Sequence, residues 1–144
     1  MQLRISSLFF AVLVASTAHA AEAPSFRNTI QPILTRYGCA MGACHGAAAG
    51  QGGFRLSLRG FDDEGDWISI TRSANGRRLT MEDPARSLFL LKATKMVPHK
   101  GDKRFEVNSP EYKAIGDWIA AGAPGPKADD PRIVSLEVSH PHLV

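Results

Sequence analysis

The chain has 144 residues, enough for one small domain rather than several. Its 17 basic and 14 acidic residues nearly balance, for a formal charge of +3. Arg72, Arg77, Arg78, Lys100, Lys103 and Arg104 are interleaved with acids and lack aromatic partners for stacking on bases, so a nucleic-acid-binding face is excluded and most of these cations are expected to be solvated surface.

Residues 1–20 read as a secretory signal: a basic start at Arg4, an apolar run from Leu8 to Ala15, and a small-residue exit at Ala18-His19-Ala20. The apolar run is too short to span a bilayer, and no later segment is apolar enough. Cleavage after Ala20 would leave residues 21–144 outside the cytoplasm, periplasmic in a Gram-negative host or secreted. Losing Arg4 takes the basic count to 16 against 14 acids, so the charge falls from +3 to +2.

Ser25 to Tyr37 is expected to form a first helix, with Phe26, Ile30, Ile33, Leu34 and Tyr37 on one face. Pro32 should start or bend it, and Gly38 should stop it. From Gly46 to Gly53 the chain has little side-chain bulk, as suits either a flexible loop or backbone packed along a flat cofactor edge. Phe54 to Arg59 alternates apolar and polar residues, the pattern of a short extended segment.

Asp62-Asp63-Glu64 begins a second helix through Trp67, Ile68 and Ile70, with acids at its positive end. Asp83-Pro84 should cap a third that carries Leu88 to Leu91 and is largely buried. A loop from Lys95 to Gly101 follows. Ser109-Pro110-Glu111 starts the last helix, whose apolar face is Tyr112, Ile115, Trp118 and Ile119; Gly122 and Pro124 end it. Ala123 to Pro131 reads as a linker, and Arg132 to Val138 as one β-like run that cannot be stable alone. The fold class is all-α with a short β-like tail, and no internal repeat is visible.

The chemistry concentrates in Cys39-Ala40-Met41-Gly42-Ala43-Cys44-His45-Gly46, which holds the only two cysteines. Two thiols followed at once by an imidazole are what covalent haem attachment needs: each thiol adds to a vinyl group, and the histidine becomes an axial iron ligand. The common form of the motif has two residues between the cysteines; here there are four. The same residues also suit a Cys39–Cys44 disulfide in a secreted protein, with His45 an ordinary loop residue. A structural zinc site lacks a second Cys or His pair at the usual spacings.

The order of helix, cysteine–histidine motif, short helices, a loop offering Met96 or His99, and a closing amphipathic helix resembles the class I cytochrome c architecture. More closely, the chain is similar to the planctomycete-type cytochrome c domain. The resemblance is carried by Cys39-x-x-Gly42-x-Cys44-His45-Gly46, Gly53 to Gly60, Gly76-Arg77-Arg78, Ser87 to Lys92, Val97-Pro98-His99 and Trp118 to Pro124. It covers roughly Phe26 to Pro124 and implies a domain over residues 21–124, with residues 125–144 a linker and the start of a following module, immunoglobulin-like in that family.

The resemblance implies one covalent haem c: thioethers at Cys39 and Cys44, His45 as proximal iron ligand, and His99 as distal ligand with Met96 as the alternative. Gly42 would let the longer loop turn beneath the ring. Phe54, Leu58, Leu88, Leu91 and Trp118 would shield the porphyrin, or simply form core. Arg77 and Arg78 are candidates for the propionates, and His140 and His142 read as tail residues. The function expected is electron transfer to a redox partner protein, not catalysis, in a domain that could front a larger protein. The competing reading is a disulfide-closed extracellular binding module without haem.

Overall fold

The computed structural model describes residues 22–139. The expected signal and the two tail histidines, His140 and His142, lie outside the described residues. Within them the protein is all-α, with short helices joined by turns and no strand.

Ser25 Oγ accepts the Asn28 N–H at 3.1 Å and opens a wide π-helical turn, Phe26–Ile30, that runs straight into α1, Gln31–Arg36. Pro32 gives a cause for the wide turn. In a regular helix its ring would press on the carbonyl four residues back, and a π turn just before it relieves that contact. At the other end Gly38 takes a left-handed φ of 76°. The Cys39 N–H then reaches Leu34 O at 2.8 Å and the Gly38 N–H reaches Thr35 O at 3.1 Å. This double bond pattern is a Schellman stop, and it sends the chain sharply out of the helix at Cys39.

α2, Asp63–Thr71, is capped by the Asp62 carboxylate, which accepts the Gly65 N–H at 2.9 Å. Its Asp66 is buried and fully engaged, accepting from Ser57 N–H, from Ser57 Oγ at 2.7 Å and from Gln31 Nε2 at 3.2 Å. One carboxylate thus ties α1, α2 and the segment before α2 together. Arg27 adds a second tie, pairing with Asp63 and, at 3.3 Å, with Asp130.

The third helix is shorter than the sequence suggests. Asp83-Pro84 opens only a 3-10 turn, Pro84–Arg86, and Asp83 makes no side-chain cap bond. Ser87 is extended (ψ 127°) and wholly buried, with its hydroxyl accepting the Thr80 N–H at 2.9 Å. That bond holds Ser87 out of helical geometry, and α3 restarts as Leu88–Ala93. α4, Pro110–Ala120, follows the expected signals: Ser109 Oγ accepts the Tyr112 N–H at 3.2 Å, and Gly122 ends the helix with φ 86°.

The core is Phe26, Ile30, Leu34, Leu56, Ile70, Leu90, Ile115, Trp118 and Ile119, each no more than 2% exposed. The first and last helices meet as expected. Phe26 packs on Trp118 with ring centres 5.6 Å apart, and Tyr37 bonds Glu111, which pushes the Tyr37 phenol up and holds the Glu111 carboxyl down.

Residues 123–131 are bonded to the helices rather than standing free. The Trp67 and Trp118 indoles donate to Ala123 O and Pro124 O at 2.8 and 2.9 Å, and Asn28 Nδ2 to Pro131 O at 3.1 Å. The β-like run expected at Arg132 to Val138 forms no strand and is exposed throughout, with Val134 at 97%. An isolated run has no neighbouring strand among the described residues to complete a ladder.

Trp118→Ala should cost roughly 3–5 kcal/mol, as for deletion of a buried aromatic. Chemical denaturation measures it; an unchanged midpoint would mean that the packing of the first helix on α4 does not hold the fold.

Candidate functional site

The Schellman stop delivers Cys39 into a tight loop. The His45 N–H returns to Cys39 O at 3.0 Å, and the Cys44 and Gly46 N–H groups reach Met41 O at 2.9 and 3.0 Å. The glycine this loop requires is Gly46. A Cβ there would lie 2.4 Å from Ala40 O, whereas one on Gly42 would meet nothing within 4 Å. Gly42, expected to allow the turn, is exposed and has no left-handed φ.

His45 is held at two points by the next segment. Its carbonyl accepts the Leu56 N–H at 2.8 Å, and its Nδ1 bonds Phe54 O at 2.9 Å. A carbonyl oxygen only accepts, so Nδ1 carries the proton and Nε2 keeps its lone pair. The Phe54 ring lies against the imidazole, ring centres 4.5 Å apart. Burial, the largest cause, lowers the His45 pKa and keeps the ring neutral.

His99 repeats the arrangement from the loop before α4. Its Nδ1 bonds Asp102 O at 2.8 Å, which again leaves Nε2 free. The two imidazole planes are within 8° of parallel and their centres are 6.4 Å apart. That is too far for ring contact, which needs carbon atoms about 3.5–4.0 Å apart. Met96, the alternative on the same loop, is 66% exposed and does not line the cavity that His45 and His99 share.

That cavity measures about 760 Å³, within the roughly 300–1,000 Å³ usual for small-molecule and cofactor sites. Cys39 and Cys44 both line it and both carry free thiols. Burial pushes the Cys39 thiol up to about 11, so it stays protonated and is a poor nucleophile at neutral pH. The apolar wall includes Leu34, Phe54, Leu88, Phe89 and Phe105. Of the five residues expected to shield a porphyrin, Phe54 and Leu88 face the cavity. Trp118 lies wholly in the core, Leu58 is half exposed, and neither Leu58 nor Leu91 lines the cavity.

The charged wall is one-sided. Arg77, Arg78, Lys92, Lys100 and Arg104 contribute to it, and no Asp or Glu does. Two of these depart from the expected solvated surface. Arg78 is 4% exposed, with three backbone carbonyls as acceptors, and Arg104 donates to Gly101 O and to Tyr37 O. Arg77 stays exposed, at the cavity mouth.

Phe89 and Phe105 also line the cavity, and no local pattern in the sequence marks either for it. Phe89 sits in an apolar run with no helical stripe to orient it, and Phe105 sits in a loop. No three or more His, Cys, Asp or Glu side chains cluster to hold a metal ion among the described residues, and no helix there is long and apolar enough to cross a membrane. No protein-family model, curated protein or solved structure matches the chain.

Gly46→Ala should unfold or displace the Cys39–His45 loop and lower the melting temperature clearly, while Gly42→Ala should leave it within a degree or two. Thermal scans of the two variants side by side check this, and equal effects would refute the assignment of the turn to Gly46.

Proposed function

We propose that the protein is a c-type cytochrome that holds one covalent haem c and carries electrons. The observation that carries this reading is the pair of parallel imidazoles across one cavity, beside two free thiols. A metal held by both rings, with bonds of about 2 Å to each, would have the ring centres about 6 Å apart once half a ring is added on each side. The observed separation is 6.4 Å. Both rings also meet the usual requirement of a metal-bound histidine, in which the other nitrogen donates to a fixed acceptor.

The residues present fit haem. Cys39 and Cys44 are the thioether donors, His45 the proximal ligand and His99 the distal one. Phe54, Leu88 and Phe89 give an apolar wall, and the cationic wall suits a ligand with two carboxylates. Arg77 and Lys100 are the propionate donors we favour, since both are exposed at the cavity and neither forms an ion pair among the described residues. Arg78 is less available because its guanidinium already serves three carbonyls.

Haem bound here would supply a one-electron Fe(III)/Fe(II) couple, with two histidine ligands setting a lower potential than histidine plus methionine. Were His45 and His99 both to ligate the iron, no position would remain open for a substrate. This favours electron transfer to a redox partner protein over catalysis. The resemblance to planctomycete-type cytochrome c domains supports the same reading. So would the secretory signal expected at residues 1–20, since covalent haem attachment takes place outside the cytoplasm.

Protein secreted together with a haem-attachment system should show the mass of one haem added to the mature chain, and should keep its Soret band after acid–acetone extraction. A mass lower by two hydrogens and no Soret band would overturn the reading in favour of a disulfide-closed module.

The distal ligand has its own test. The ferric wild type should lack the weak long-wavelength band of methionine-ligated haem, and His99→Ala should shift the spectrum to high spin while Met96→Ala changes nothing. A band that is lost in Met96→Ala and kept in His99→Ala would make Met96 the ligand.

A further inference from the structure

Arg78 makes more contacts than a surface cation would. Its Nη1 donates to Ser69 O at 3.0 Å, in the last turn of α2, and to Ser73 O at 2.8 Å, just past the end of that helix. Carbonyls at a helix end lack partners within the helix, and a cation there also suits the helix dipole. Its Nη2 donates to Gly53 O at 3.0 Å, and its Cζ stands 4.6 Å from the centre of the Phe54 ring. Ser69 Oγ completes the link by donating to Arg55 O at 2.5 Å. The segment from Gly53 to Arg55 is therefore clamped to α2 from both sides of Phe54.

Phe54 is also what holds His45. Its carbonyl accepts the His45 Nδ1–H at 2.9 Å, and its ring, beneath the guanidinium, lies against the imidazole with centres 4.5 Å apart. The line of contact runs from the end of α2 through one buried guanidinium to a carbonyl and a ring, and from these to one imidazole. His99 bonds a carbonyl on its own loop and has no part in this line.

We infer that Arg78 is a positioning residue for the proximal ligand: by clamping Gly53 and Phe54 to α2 it sets the strength of the His45 Nδ1–H···O=C bond and the orientation of the ring. The inference rests on the haem reading of the same site. A stronger bond at Nδ1 makes Nε2 more basic and favours ferric over ferrous iron. Loosening the clamp therefore raises the midpoint potential. Lysine in place of Arg78 keeps the charge but has no planar fork for three carbonyls, so it separates the clamp from the field of the cation.

The test compares the covalently loaded wild type with Arg78→Lys by redox titration and by proton NMR of the ¹⁵N-histidine-labelled protein. Arg78→Lys should raise the midpoint potential and speed solvent exchange of the His45 Nδ1 proton several-fold, while the His99 Nδ1 proton exchanges as before. An unchanged potential and exchange rate, or equal acceleration at both histidines, would overturn the inference and leave Arg78 a general stabiliser. A downward shift would overturn the inference as well, since the charge is kept and a loosened clamp can only raise the potential. Should Arg78→Lys fail to fold, Phe54→Leu keeps the backbone carbonyl and removes the ring between guanidinium and imidazole. It should move potential and exchange in the same direction by less, and no change would count against the inference. Absence of haem on the wild type would fail the functional reading itself, before any variant is compared.

Discussion

The site depends on the tie between His45 and the segment that follows the Gly/Ala-rich loop. The His45 carbonyl and imidazole are bound at two alternate positions of that segment, to Leu56 N–H and Phe54 O. Backbone thus fixes both the path of the motif and the tautomer of its histidine. Gly46 lets the motif fold back tightly enough to reach that tie, and the Gly38 stop aims it there. Removing the imidazole bond alone would leave a ring free to turn over, with neither nitrogen committed as donor.

A domain of this size has little core to spare. Phe26, Ile30, Ile115 and Trp118 pack the meeting of the first helix with α4, and Leu34, beside them, reaches the cavity wall. On the far side of that wall the apolar surfaces of Phe54, Phe89 and Phe105 face a space of about 760 Å³. Side chains lining such a space lack contacts on one side. On the proposed reading, a flat apolar ligand completes the core as well as the site, so folding and haem attachment reinforce one another.

Polar ties do much of the remaining work. Asp66 binds Ser57 and Gln31, Arg27 binds Asp63 and Asp130, and Arg78 binds the end of α2 to Gly53. Each crosses between segments distant in sequence and has its buried polar atoms satisfied, as burial demands. Short helices leave many backbone groups without helical partners, and charged side chains meet that need at the ends of α2 and of the first helix.

Local signals determined the helices with clear punctuation. Ser25, Gly38, Asp62, Ser109-Pro110 and Gly122 act within one turn of themselves, through caps and left-handed stops, so their effect is legible without the fold. The motif Cys39–His45 stands out in the sequence as two thiols and an imidazole in a row, His99 only through the family pattern, and the structure sets both on one cavity. Tertiary structure alone decided the rest. Asp83-Pro84 promised a longer helix, but the burial of the Ser87 hydroxyl against Thr80, invisible from either residue, broke it. Arg78 read as one more surface cation, because its three acceptors come from Gly53, Ser69 and Ser73, which only folding gathers. Gly42 and Gly46 look alike in sequence, and only the approach of Ala40 O makes one indispensable. The parallel setting of His45 and His99 is of this second kind: the sequence supplies two imidazoles, and the packing of two loops across one cavity brings their planes within 8°.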